Sequence, residues 1–195
     1  MQILFRTSVF FFLLLGLAGT TTAQKKVKNF QVTKVIPYSA EKVWAVVGED
    51  YGAIANSHPK IITSEYINGS LKAEEGAQRV CNFNEKGTQY LKEKIVGYDP
   101  EGMSFKNQVF KAGKFPVDPE YTYGIYKVEA IDENTSRFTF DMTFRTKPAF
   151  LGGLMKGNFI KLINDYALAI QHHIATGEAV NKGNFKEIKK SYTAP

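Results

Sequence analysis

The chain has 195 residues, of which 44% are hydrophobic and 13% aromatic, and a formal charge of +6. That length suits one domain, and the aromatic content excludes a disordered chain. The Lys and Arg residues are scattered, with no zinc-finger or RNP-like run, so a nucleic-acid partner is not expected. The basic excess reads as ordinary surface charge, with an anionic partner such as a membrane surface as the alternative.

Met1 to Ala23 reads as a cleavable signal peptide. Arg6 supplies a positive start, Val9 to Gly19 an apolar core too short for a comfortable membrane span, and Thr21-Thr22-Ala23 small residues for cleavage before Gln24. The expected location is therefore secreted or periplasmic, an uncleaved anchor being the alternative. Export permits disulfides, but Cys81 is the only cysteine, so no intramolecular bridge can form and the core must hold the fold. Cys81 lies in a strand-like run and reads as a small buried apolar residue rather than a reactive thiol.

The domain is expected over residues 24–178. Phe30 to Ile36 alternates as a first strand ended by Pro37. Ser39 is placed to cap a helix over Ala40 to Val47, which Gly48 ends, and Tyr51 to Asn56 reads as a second helical piece. Short strands are expected over Ile61–Ile67, Gln78–Phe83, Thr88–Tyr98, Met103–Phe110, Glu120–Ile131 and Ser136–Thr146, parted by turns such as Asn68-Gly69 and Glu85-Lys86-Gly87. Connections this short demand antiparallel neighbours. The last strand alternates most cleanly, Phe138, Phe140, Met142 and Phe144 against Arg137, Thr139, Asp141, Thr143 and Arg145.

Pro148 to Gly177 is the long helical pattern. Leu151, Met155, Phe159, Leu162, Ile163, Tyr166, Ile170 and Ile174 form one apolar stripe. Gly152-Gly153 and Gly157 lack the Lys-Ser/Thr of a phosphate loop and are expected to let the helix start approach the sheet. Residues 179–195 are basic and polar and read as a loosely held tail. The sum is an α+β fold, a curved antiparallel sheet of about six to seven strands around a long C-terminal helix, with two short helices after the first strand.

Several stretches carry a family resemblance. Ile36-Pro37-Tyr38-Ser39-Ala40-Glu41-Lys42-Val43-Trp44 resembles an "apolar-Pro-Ala-x-x-Val-Trp" start to a first helix. Asn56-Ser57-His58-Pro59 is similar to a "Trp-His-Pro" stretch, Gly76-Ala77-Gln78-Arg79-Val80 to a "Gly-x-x-Arg" strand start, Leu91 to Asp99 to a "Glu-x-Leu-x-x-Tyr-Asp" strand, and Phe115-Pro116-Val117 with Tyr121 to a "Pro-Val-x-x-Tyr" turn. Over about Val27 to Glu178 the chain thus resembles the START-related helix-grip (SRPBCC) superfamily, in its polyketide cyclase/dehydrase-like branch. Ser57 stands where that family often has Trp, which implies a more open or more polar cavity mouth. The resemblance implies a cavity between sheet and helix more firmly than it implies one function.

On that architecture the candidates for lining the cavity are Trp44, His58, Glu93, Phe105, Phe140, Phe144, Met155, Phe159, Ile163 and Tyr166, followed by Tyr98, Tyr121 and Tyr123. His58 is the leading polar candidate because imidazole titrates near neutrality, although a loop-bracing role competes. Glu93 shares strand parity with Leu91 and Ile95, so it should point inward and need a partner, for which Arg79 is placed. His172 and His173 are adjacent on the helix and cannot easily share a metal, so neither a metal site nor a cofactor is expected. Asn68-Gly69-Ser70 and Asn134-Thr135-Ser136 match glycosylation sequons but read as turns. The leading reading is an exported protein binding a small apolar or amphipathic molecule (a lipid, sterol or polyketide-like compound). The alternatives are a cyclase/dehydratase using His58 and Glu93 as acid and base, and an interaction module whose cavity is filled by its own side chains.

Overall fold

The computed structural model describes residues 26–193; the expected signal peptide, with its cleavage point, lies outside them. Seven antiparallel strands form one sheet in the order β1-β7-β6-β5-β4-β3-β2. They are β1 (Lys28–Ile36), β2 (Thr63–Tyr66), β3 (Gln78–Asn82), β4 (Tyr90–Asp99), β5 (Ser104–Ala112), β6 (Tyr123–Asp132) and β7 (Thr135–Phe144). From β2 to β7 each strand lies beside its successor, through tight turns at β4–β5 and β6–β7 and longer links elsewhere; β1 closes against β7, and the helical pieces intervene between β1 and β2. The long helix α2 (Gly152–Thr176) packs against β1 and β7.

Two register shifts between β4 and β5 bend the sheet, and a third falls at Ala130/Asp132 near the β6–β7 turn. Lys92 pairs with Lys111 and Glu93 with Val109, so Phe110 is an extra residue on β5; between Ile95 and Tyr98 the extra residue lies on β4. The alternation of β7 is realised, with Phe138, Phe140 and Phe144 buried and Arg137 exposed. α1 (Ala40–Trp44) starts at Ser39, whose Oγ faces the Lys42 amide, and runs into a wider π-type turn over Ala45–Glu49. Gly48 is required there: a Cβ would lie 2.5 Å from the Trp44 ring. Trp44 therefore folds back over its own turn and stacks on Tyr98 with ring centres 6.0 Å apart. Tyr51–Asn56 is a 3-10 helix.

α2 begins after a 3-10 turn, Ala149–Leu151, and ends at Gly177, whose φ of 72° is the left-handed cap that glycine adopts freely. Phe159, Ile163, Tyr166 and Ile170 are buried from the expected stripe, joined by Ala167 and Ala169; Leu151, Met155, Leu162 and Ile174 are half-buried. Of the three early glycines only Gly152 works as expected, its Cα so near β1 that a Cβ would meet Lys28 Cγ at 3.2 Å; Gly153 and Gly157 face open space.

The segment read as a loose tail is instead docked. Val180 donates its amide to Asn56 O at 2.8 Å and bridges Ser57 in parallel. α3 (Phe185–Ser191) then lays Ile188 against Ala169 and Val180. Lys189 Nζ reaches Asp165 Oδ1 at 2.6 Å, while Lys161 holds Oδ2 at 2.8 Å. A polar segment is anchored by a few well-placed contacts that composition does not register.

Candidate functional site

Between the sheet and α2 lies a cavity in which about 90 Å3 is accessible to the centre of a water molecule. This is several times the roughly 10–15 Å3 that one water needs. Its apolar wall comes from Leu91, Val109, Phe140 and Met142 on the strands, Phe159, Leu162 and Ile163 on the helix, and Phe83, Phe115 and Val117 in the loops. Phe83 and Phe115 touch, with ring centres 4.7 Å apart. Its polar wall comes from Arg79, Cys81, Glu93, Asn107, Thr122, Tyr123, Tyr126 and His58.

The polar wall is built by cross-strand pairing. Arg79 and Glu93 are direct partners across β3 and β4 and both face inward. Arg79 Nε donates to Glu93 Oε2 at 2.8 Å, and Nη1 donates to the Tyr51 carbonyl at 2.7 Å. The guanidinium also sits 4.0 Å over the Tyr51 ring, whose hydroxyl donates to Asn107 Oδ1 at 2.7 Å. Four groups thus satisfy one another where an unpaired charge would cost several kcal/mol. Cys81 Sγ lies 3.6 Å from Glu93 Oε2; burial pushes its thiol up to about 12, leaving it protonated and inert.

His58 is buried, and its Nδ1 accepts the amides of Lys60 and Ile61, both at 3.1 Å. Those two donors require an unprotonated Nδ1, so the ring proton sits on Nε2. Burial, reinforced by the Arg79 charge, lowers the imidazole to about 3. Tyr166 supports the ring at a 5.0 Å centre separation. His58 therefore meets the cavity as a neutral group whose free edge carries a donor. Tyr126 stacks on Phe105 at 4.5 Å, and its hydroxyl makes no hydrogen bond to another described residue. Burial holds that phenol well above its ordinary range, hence as a neutral donor.

Of the expected lining residues, His58, Glu93, Phe140, Phe159 and Ile163 meet at the cavity. Trp44, Phe105, Phe144, Met155 and Tyr166 do not. Trp44 is committed to Tyr98 and its own turn, Phe105 lies behind Tyr126, and Phe144 packs edge-on to Phe159 at 4.9 Å. Met155 is half-buried a turn before the cavity, and Tyr166 backs His58. Among the second candidates Tyr123 lines the cavity, whereas Tyr98 and Tyr121 do not. Tyr126 and Asn107 went unread, though a signal existed. Asn107 falls between Phe105 and Val109 at strand parity, and Tyr126 between Gly124 and Val128. Gly124 matters as well, since a Cβ there would lie 2.7 Å from the Phe140 ring. His173 Nδ1 donates to Glu178 O at 2.7 Å, and no group of His, Cys, Asp or Glu among the described residues is arranged to hold a metal.

A sheet wrapped on a C-terminal helix, with a cavity between them, defines a helix-grip protein. The profile of the family described as polyketide cyclase / dehydrase and lipid transport matches residues 28–169, and the chain belongs to that family. Among curated protein sequences none matches. Among solved structures, the chain is similar to a protein from Thermobifida fusca (19% identity, 78% of this chain and 96% of that one, TM-score 0.62). It is also similar to the Zhui aromatase/cyclase from Streptomyces sp. R1128 (11%, 86% and 97%, 0.57). A third is norcoclaurine synthase from Thalictrum flavum, in complex with dopamine and hydroxybenzaldehyde (17%, 78% and 89%, 0.55). At these identities the likeness shows the fold.

Proposed function

We propose that the cavity binds a small amphipathic molecule, of lipid, sterol or polyketide-like chemistry, by burying its hydrocarbon and meeting an oxygen at its polar end. The observation that carries this reading is an apolar space ending on groups that donate: Tyr126, the free edge of His58 and the Arg79 guanidinium. A carbonyl, phenol or carboxylate oxygen complements them. Export through the Met1–Ala23 segment is part of the same proposal, supported by its apolar core; the N-terminal mass of the protein recovered from its host tests it.

Native mass spectrometry of that protein, with titration of 1-anilinonaphthalene-8-sulfonate, tests the binding. The expected result is a co-purifying compound or a saturable site weakened by Tyr126→Phe and by Phe159→Ala. No co-purifying compound together with no saturable probe site refutes the reading.

A cyclase is the second reading, favoured by the same convergence of donors, which would polarise a ligand carbonyl and stabilise a developing enolate. The acid/base pairing expected of His58 and Glu93 needs revision: Glu93 is held by Arg79, and a His58 lowered to about 3 is neutral at pH 7. In a cyclase of this geometry His58 donates without transferring its proton, so His58→Asn would lower turnover and leave the pH profile of turnover unshifted.

A further inference from the structure

The outer face of the 3-10 turn and the first turns of α2 is apolar and, among the described residues, uncovered. Phe150 is 77% exposed and Leu154 71% exposed, one turn apart. Gly153 and Gly157, on the same face, have open space where a side chain would be. With Leu71, these are the most exposed large apolar side chains among the described residues, and unlike Leu71 they form a pair on one face.

The charge around this tip has one sign. From Met142 to Asn164 the sequence contains Arg145, Lys147, Lys156 and Lys161 and no Asp or Glu. Lys28 lies against Gly152. The carboxylates nearby are Asp118, which Arg145 and Lys147 share at 3.8 and 3.0 Å, and Glu120 in the adjoining turn. Lys161 is paired with Asp165. Lys28, Arg145 and Lys147 therefore outnumber the acids beside the tip, and Lys147 remains 64% exposed while paired.

We propose that this tip docks on an anionic lipid bilayer, Phe150 and Leu154 entering the headgroup boundary while Lys28 and Lys147 meet lipid phosphates. An aromatic and an aliphatic side chain projecting from a cationic rim is the pattern of an interfacial anchor. The placement also sets the cavity beside the membrane. Lys147 N donates to Pro116 O at 3.1 Å and Asp118 N to Arg145 O at 2.8 Å, so the link carrying Phe115 and Val117 is bonded to the segment that leads into the tip. That link walls the cavity. The docking surface stands on its own observations, whether or not the cavity carries a ligand.

Co-sedimentation of the purified protein with phosphatidylcholine vesicles containing phosphatidylglycerol tests this. Binding is expected, weakened by added salt. The double variant Phe150→Ser/Leu154→Ser should lose roughly tenfold or more in apparent affinity, with its melting temperature and probe binding in the cavity unchanged. Lys147→Gln should weaken binding in the same direction. Absence of wild-type binding, equal binding to pure phosphatidylcholine, or undiminished binding of the double variant overturns the proposal. So does a concentration-dependent dimer that the double variant dissolves, because the tip would then be covered by a second copy.

Discussion

Lowering the pH from 7 to 5 should cost this fold about 2 kcal/mol through His58 alone. The imidazole is lowered from 6.5 to about 3 in the folded protein, so across this window the native state keeps it neutral while the unfolded chain takes up a proton. Stability rises with pH wherever the unfolded state binds more protons. The contribution is therefore intact above pH 6.5 and is lost progressively as pH falls from 6.5 toward 3. One pH unit of differential protonation is worth about 1.4 kcal/mol, which gives about 2 kcal/mol at pH 5. His58→Asn isolates the effect, because an Asn side-chain oxygen can accept the Lys60 and Ile61 amides but does not titrate. Urea unfolding of wild type and variant at both pH values supplies a double difference in which carboxylates and the helix-end histidines cancel. The variant should lose about 2 kcal/mol less than wild type on acidification. Equal losses would mean that His58 is solvated or charged in the fold, and the donor role assigned to it would fall.

Other perturbations probe the same interior. Arg79→Met leaves Glu93 buried without its partner and should cost about 3–5 kcal/mol in urea unfolding; adding Glu93→Leu should restore part of it, and no recovery would argue against an ion pair that mainly offsets its own desolvation. Gly124→Ala forces the Phe140 ring to move, at about 1–3 kcal/mol, and should weaken probe binding more than it lowers stability; unchanged binding would remove Phe140 from the wall. Cys81, pushed up to about 12, should resist a thiol reagent at pH 8 until the protein is unfolded, and prompt labelling of the native protein would contradict its burial. Ile188→Asp should release α3, read as faster amide exchange over residues 178–192 and at Ser57; unchanged protection would show that Lys189 and Val180 hold the segment without it.

The fold was legible because periodicity records which side of an element is buried. The alternation at Phe138 to Phe144 and the stripe from Phe159 to Ile170 each specify a face, and antiparallel order follows from turn length. The site was legible only where parity exposed a conflict, as with Glu93 between Leu91 and Ile95. Trp44 and Phe144 were misassigned for a physical reason: an inward-facing aromatic can serve core or cavity, and the choice depends on neighbours in three dimensions, such as Tyr98 and Phe159. The tail read as loose because Phe185, Ile188 and Tyr192 were its only possible anchors. The small cluster that Ile188 and Phe185 form with Ala169 and Val180, and the bonds of the Val180 amide and the Asp165 carboxylate, depend on three-dimensional placement that composition does not record.

The bridge between Ser57 and Val180 has a consequence for how the molecule is made. It joins the loop before the second strand to residues beyond the last long helix, a span of about three quarters of the described chain. Contacts of such long range form late, since the intervening chain must first be closed. During vectorial synthesis, β1 to β7 can assemble while the His58 loop still lacks its C-terminal strap. A chain truncated before Val180 would therefore carry the sheet and α2 with the Asn56–His58 loop left without that strap.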